Sequence, residues 1–437
     1  MPKKSATKQW TVMVYMAGDN NLDSAGVADL KEMKKVGSTG GLNIIAQFDR
    51  AGEGLETKRY CLSKGGALEK DLVAKLGETN TGDPKTLEGF IRWGITNYPA
   101  EHYLVVLWNH GAGWDDTDIY HTARSRMKLN ITRKGEVADH APGRAAGSVP
   151  INRIRAIGNR RLRRALFRPT VEQALRKRAI AFDDNAQDFL DNVEIKKVLT
   201  SVGKSLKRRI DILGMDACLM SMIEVAWQVR DSVANTVGSE QTEPGDGWPY
   251  DAILGELAKK PRMTPRELAG VIVKKYIASY PSSEPVTQAA FDLSHAAPLT
   301  AAVDRLAKTL ISSLSTPAER LNLMQARAQV QTYEVDDYID LLDLCQLVSA
   351  STGRAEVKAA CQGVIDAATT GGFLIESGFK GKKMENSRGI SIYFPTKEIS
   401  PLYAKLDFVK KTAWGKFLAT YLSGTSRRRL VAAAAAS

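Results

Sequence analysis

The chain has 437 residues, of which 43% are hydrophobic and 25% charged, with a formal net charge of +12. Those are the proportions of a globular protein large enough for two domains, or for one large domain carrying insertions. They exclude a helical membrane protein, because no apolar stretch approaches the roughly 18 residues of a membrane span.

The charge is not evenly spread. Between His121 and Ile180, 13 Arg and 3 Lys stand against Glu136, Asp139 and Glu172, a net +13, so the rest of the chain sums to −1. The protein is a nearly neutral body with one very basic segment, and a nucleic-acid reading would have to rest on that segment alone. Cys61, Cys218, Cys345 and Cys361 are widely spaced and form no CxxC pair, which argues against a disulfide framework and against a zinc site. Cys61, Cys345 and Cys361 sit in apolar-periodic contexts and are expected to be buried, inert thiols.

In chain order, a flexible stretch over 1–9 leads into WTVMVYMA (10–17), a strand. The opening MPKKSATKQW has lysines but no apolar segment, so it does not read as a secretory signal; a cytoplasmic protein is expected, with removal of a leader left open. A helix follows over 21–36, then strands at 42–48 and 59–62, and a helix over 84–97 started by Asp83-Pro84. The strand YLVVLW (103–108) runs into Asn109-His110-Gly111-Ala112-Gly113-Trp114. The basic segment comes next, expected over 121–182, long and interrupted by HAPGRAAGSVP. Beyond it lie a helix at 193–207, the strand IDILGM (210–215), a helix at 218–230, a strand at 234–240, a helix at 264–280 and a strand at 287–293. Helices at 297–314 and 335–350, a strand at 389–395 and a low-complexity tail over 425–437 complete the pattern.

Strands alternating with helices predict an α/β fold whose largely parallel sheet is covered on both faces. The parts expected are 10–120, the insertion 121–182, 183–295, and a C-terminal α/β extension over 296–424 packed on the same core.

In such sheets ligands bind beyond the carboxyl ends of the strands. Two strands here end in chemically loaded loops, one in His110-Gly111 and the other in Asp216-Ala217-Cys218. A cysteine just past a strand and opening a helix gains from the positive helix terminus, which favours thiolate. A histidine at a second strand end can move the proton, and the glycine after it lets a backbone N–H approach an oxyanion. Taken singly, His110 reads as a satisfied strand-end histidine and Cys218 as an ordinary helix-start thiol; together they form the pair that thiol acyl transfer needs.

An apolar block ending in His-Gly, followed by another ending in Asp-Ala-Cys, resembles the clan of the caspases, legumains and gingipains. With VMVYMAGDNNLD, VLWNHGAGW, LGMDACLM, GSEQTEPGDGWPY and GISIYFP in this order, the chain resembles the clostripain-like cysteine peptidases over most of its length outside the basic segment. The resemblance implies a caspase-like three-layer α/β/α sandwich and an endopeptidase that cuts after Arg or Lys through a Cys-His dyad. By motif position it implies Cys218 as nucleophile, His110 as its partner, the N–H groups of Gly111 and Cys218 as oxyanion hole, and Asp216 with Asp246 as an acidic S1 pocket. A carboxylate two residues from the nucleophile can hold a guanidinium bidentately, which agrees; capping of the following helix is the competing reading of Asp216.

The resemblance leaves calcium open. The stretch DDNAQDFLDNVE (183–194) has acids at spacings loosely like an EF-hand loop, but Asp188 stands where that loop needs glycine, and AGDNN (17–21) is equally undecided. No cofactor is certain and no metal ligand is assigned. The basic segment is where the chain departs from the pattern. A solvated loop is its default reading. An activation linker cut by the protein itself is the first functional reading, with Arg144, Arg161 and Arg164 as candidate sites and with fragments that stay associated. The alternative class is an inactive scaffold whose Arg-rich arm binds nucleic acid or acidic proteins, ranked lower because only Phe167 and Phe182 interleave with its basic residues.

Overall fold

The computed structural model describes residues 7–19, 22–51, 55–109, 129–131, 137–139, 148–149, 190 and 192–423. They divide into two compact units that alternate along the chain. The first holds the residues up to Val202 with Asp216–Cys218 and Thr242–Arg262; the second holds Gly203–Met215, Leu219–Gln241 and the residues from Met263 on.

In the first unit, β1 (Lys8–Gly18), β2 (Leu42–Arg50) and β5 (Ala100–Trp108) run parallel, with β1 between the other two. All three are buried almost throughout, as strands covered on both faces must be. Antiparallel β3 (Lys58–Cys61) and β4 (Leu72–Lys75) extend the order to β5-β1-β2-β3-β4. Two helix glycines show how the faces are covered. In α1 (Asp23–Val36), a Cβ on Gly26 would meet the Phe48 ring at 2.7 Å and Trp108 at 3.3 Å. In α2 (Pro84–Asn97), one on Gly94 would meet Met13 Sδ at 2.6 Å and Ile45 Cδ1 at 2.9 Å. Ile45 and Phe48 are three residues apart on one strand and so point to opposite faces, which places one helix on each side. The helix α2 begins as its sequence predicts, with Pro84 at its first turn and Asp83 accepting from the Lys85 N–H at 2.9 Å. Trp108 donates its indole N–H to Asp29 of α1 at 2.6 Å, and Lys34 of α1 forms a buried ion pair with Asp71. Within the basic segment three short strands are described, β6 (Leu129–Ile131), β7 (Val137–Asp139) and β8 (Ser148–Val149), paired antiparallel. The helix α3 (Asn192–Leu206) starts in this unit, where Ser201 bonds Glu88 and Arg92 of α2.

The second unit has its own strands. β9 (Ile210–Asp216) pairs parallel with β10 (Val233–Gly238) over Ile210–Gly214, and β11 (Val286–Asp292) and β13 (Leu374–Lys380) follow antiparallel. The helix α4 (Ile223–Val229) follows β9 in the chain, and α5 (Tyr250–Lys259) belongs to the first unit beside α1. One face of β13 meets α6 (Pro265–Ser279), where Gly378 lies against Ile277; the other meets Gly389, whose Cβ position is crowded by Ser377 and Ala289. Of four further helices, α7 (Ala296–Ser313), α8 (Pro317–Gln329), α9 (Leu341–Ser351) and α10 (Ala355–Ala368), α8 packs on α9, α9 on α10, and α10 on α7.

Two expectations change here. The helix expected from 335 starts only at Leu341, because Tyr338–Asp340 form β12, paired antiparallel with β14 (Ser391–Tyr393). Asp340 then caps α9 by accepting from the Asp343 N–H at 2.7 Å. Cys345 and Cys361 are buried as expected, but Cys61 on β3 is only half-buried.

Candidate active site

The strand β9 ends at Asp216, and Cys218 follows in a turn. The helix α4 does not open at Cys218; it starts at Ile223, five residues later. The expected help from a helix terminus is therefore withdrawn, since that field acts only within the first turn. Asp216 likewise does not cap this helix, whose N-cap is Met222.

Another backbone group faces the sulfur instead. The N–H of Glu243 points at Cys218 Sγ at 3.2 Å, and the Glu243 carbonyl lies 3.9 Å away. The backbone of one residue thus presents a donor to a thiolate and an acceptor to a thiol. Cys218 is 1% exposed and Asp216 fully buried. The Asp216 carboxylate accepts from the Tyr250 hydroxyl at 2.9 Å, which holds one oxygen in a fixed place. Tyr250 opens α5, and its N–H donates to Glu32 Oε2 of α1 at 3.1 Å.

Asp246 sits exposed in the turn from Pro244 to Gly247, closed by a 3.0 Å bond and by Gly247 at φ 59°, a left-handed position that suits glycine. It is near enough to Glu32 to affect it. Burial raises the Glu32 carboxyl above the usual range, Asp251 adds to that, Lys35 opposes it, and Asp246 adds a little more. Cys218, Asp216, Glu243, Asp246 and Tyr250 all belong to the first unit. Glu243 meets the Cys218 sulfur and Tyr250 meets Asp216, while Asp246 lies toward Glu32.

His110 and Gly111 lie outside the described residues, which reach Asn109 at the end of β5. So do Arg144, Arg161 and Arg164, residues 20–21 and 183–189, and the 425–437 tail. Among the described residues no group of three or more His, Cys, Asp or Glu side chains is set to hold a metal. No described helix is long and apolar enough to cross a membrane. The roles of Glu243, Tyr250 and Glu32 were missed from sequence. Tyr250 closes GSEQTEPGDGWPY and was within reach there, whereas a backbone N–H and a glutamate some 200 residues away carry no sequence signal.

The model of the clostripain family matches residues 14–126 and 169–421. Clostripain from Hathewaya histolytica is 26% identical over 285 residues, 58% of this chain and 43% of the relative, so the chain spans less than half of that protein. Among solved structures, a secreted C11 cysteine protease from Bacteroides thetaiotaomicron in complex with an irreversible peptide inhibitor aligns with a TM-score of 0.60 at 19% identity. An inactive zymogen C11 protease from Parabacteroides distasonis aligns with a TM-score of 0.62 at 18% identity. Each alignment covers 93% of this chain and 99% of the other. At those identities the likeness is one of fold, and it bears out the caspase-like α/β class.

Proposed function

The chain belongs to the clostripain family of cysteine peptidases, and from that premise we propose that it is an endopeptidase that cuts after Arg or Lys with Cys218 as nucleophile. The observation that carries this reading is the Glu243 N–H aimed at Cys218 Sγ, two residues after a fully buried carboxylate. A hydrogen bond from an N–H stabilises thiolate, the form that attacks. His110 takes the thiol proton and returns it to the leaving amine, while the N–H groups of Gly111 and Cys218 receive the oxyanion. A thioester forms as the amide C–N bond breaks, and water then releases the acid.

Asp216, oriented by Tyr250, lies at the bottom of the P1 pocket, and Asp246 adds negative charge at its rim. A guanidinium or ammonium entering there replaces water with a charge-assisted bond in a partly dry site. The substrates are proteins or peptides with basic P1 residues, and the basic insertion is one of them, cut in a zymogen-like precursor whose fragments remain together. Hydrolysis of a small arginyl amide tests the reading: wild type turns it over, Cys218→Ala does not, and His110→Ala is slower by orders of magnitude. Substantial turnover by Cys218→Ala would refute it.

A further inference from the structure

The loop behind the nucleophile, 219–222, is held from two sides within the second unit. On one side Leu219 N–H donates to Gln241 O at 3.3 Å and Ser221 N–H to Ser239 O at 2.9 Å. On the other side Ser221 Oγ donates to Gly389 O at 2.8 Å, and Ser391 N–H donates to Ser221 O at 2.9 Å. Leu219, peptide-bonded to Cys218, has φ 64°, a left-handed conformation in a fully buried leucine. Such a conformation costs on the order of 1–3 kcal/mol and persists only where its surroundings enforce it.

The two sides are joined to each other by carboxyl groups. Glu240 Oε2 accepts from the Gly389 N–H at 3.0 Å, and Asp340 Oδ2 accepts from the Arg388 N–H at 2.5 Å. Glu240 and Asp340 are 1% and 0% exposed, they accept from N–H groups of adjacent residues, Gly389 and Arg388, and each carboxyl interacts with the other. Glu240 Oε1 is enclosed with no donor bonded to it. Two carboxylates cannot share that space, whereas an acid and a carboxylate can. Asp340 is the better carboxylate. It accepts from two backbone donors, Asp343 N–H and Arg388 N–H, whereas Glu240 accepts from one, Gly389 N–H; the Tyr333 hydroxyl, 3.3 Å from Asp340 Oδ2, serves both.

We propose that Glu240 carries the proton of a Glu240–Asp340 acid–carboxylate pair, and that this pair is a positioning device: it locks 239–241 to 388–389 around loop 219–222 and so fixes Cys218. As a statement about catalysis this rests on Cys218 being the nucleophile. The titratable and charged groups facing the pair are Tyr333, Asp343 and Cys345 of α9, and Arg388. Burial, first, and the Asp340 charge, second, hold Glu240 well above the usual carboxylate range, which favours a proton kept between the two groups. Once it is lost, two buried charges repel across the clamp.

The test measures arginyl-amide kcat and KM from pH 6 to 10 in wild type, Glu240→Gln and Glu240→Ala, with hydrogen exchange of the 219–222 amides in each. Glu240→Ala should lose about 100-fold in kcat, the cost of a nucleophile misplaced by about 1 Å, with KM changed much less. Its 219–222 amides should exchange faster. Glu240→Gln, whose amide can still donate to Asp340, should keep most of the activity at pH 7 and move or remove an alkaline fall seen in wild type. A folded Glu240→Ala protein with wild-type kcat and wild-type exchange would overturn the proposal, as would a Glu240→Gln protein as inactive as Glu240→Ala. Turnover by Cys218→Ala would instead refute the peptidase assignment of Cys218, and the exchange measurement would still decide whether the clamp exists.

Discussion

Tyr250 donates its hydroxyl to Asp216 at 2.9 Å, and both side chains are buried, the tyrosine at 2% exposure and the aspartate at none. The hydroxyl holds one carboxylate oxygen in place and so fixes the plane of the group. Tyr250→Phe should leave kcat nearly unchanged while raising KM for arginyl substrates on the order of 10-fold, the worth of one charge-assisted hydrogen bond in orientation. Steady-state kinetics on one arginyl amide checks this; an unchanged KM would remove Tyr250 from the pocket.

Asp216→Asn keeps the shape of the site and removes its charge. The preference in kcat/KM for P1 Arg over P1 Leu should fall on the order of 100-fold, as expected when a buried pairing is lost. Matched peptides differing only at P1 give the ratio. Equal rates on Arg and Leu peptides in wild type would show that no acidic pocket operates.

The basic segment is joined by the chain to both sequence blocks of the candidate dyad, so its arginines sit at an effective concentration on the order of millimolar for short tethers. Self-cleavage is expected between Arg124 and Arg178, around Arg144 or at the Arg160-Arg161 and Arg163-Arg164 pairs, giving one fragment with His110 and one with Cys218. Intact masses and new N-termini of wild type incubated beside Cys218→Ala should show this only in wild type. A wild-type chain that stays whole at full activity would exclude an activating cut.

Glu224 of α4 is buried, accepts from Tyr393 N–H at 3.0 Å and from Tyr403 Oη at 2.8 Å, and leaves Oε2 without a donor. Burial pushes its carboxyl up to about 7, with the hydrogen bonds pulling the other way. An acid whose folded pKa is raised contributes stability that is fully present below its unfolded value and is lost as pH rises through the folded one. Stability should therefore fall between about pH 4.5 and 7, by about 3 kcal/mol for this group alone. Glu224→Gln should flatten that part of the profile. Urea unfolding of both proteins at pH 5 and pH 8 measures the difference.

A Cβ added at Gly26 of α1 would meet the Phe48 ring at 2.7 Å and Trp108 at 3.3 Å. Gly26→Ala should destabilise by about 1–3 kcal/mol, because an added methyl overpacks a filled core and the gain in helix propensity is smaller. Unfolding free energies at pH 7 would show it, and an unchanged or increased stability would mean that α1 is not seated on that face.

What the sequence by itself determined is what short-range pattern carries. Buried parallel strands announce themselves as unbroken apolar runs, so β1, β2, β5, β9 and β10 were legible, as was α2 from Asp83-Pro84. The block order around His110 and Cys218 identified the family, because the chemistry needs those residue types at strand ends. Tertiary structure decided the rest. A helical period reads straight through Tyr338–Asp340, yet those residues form β12, because their backbone groups find partners in Ser391–Tyr393, some fifty residues away. Cys218 read as a helix start, but loop 219–222 is pinned by Ser239–Gln241 and Gly389–Ser391 before α4 can begin. The donor that faces its sulfur is a main-chain N–H, which every residue but proline possesses, and the proton proposed between Glu240 and Asp340 joins residues a hundred positions apart. Neither leaves a mark in the amino-acid pattern, because only the folded chain sets the distances on which a hydrogen bond or a shared proton depends.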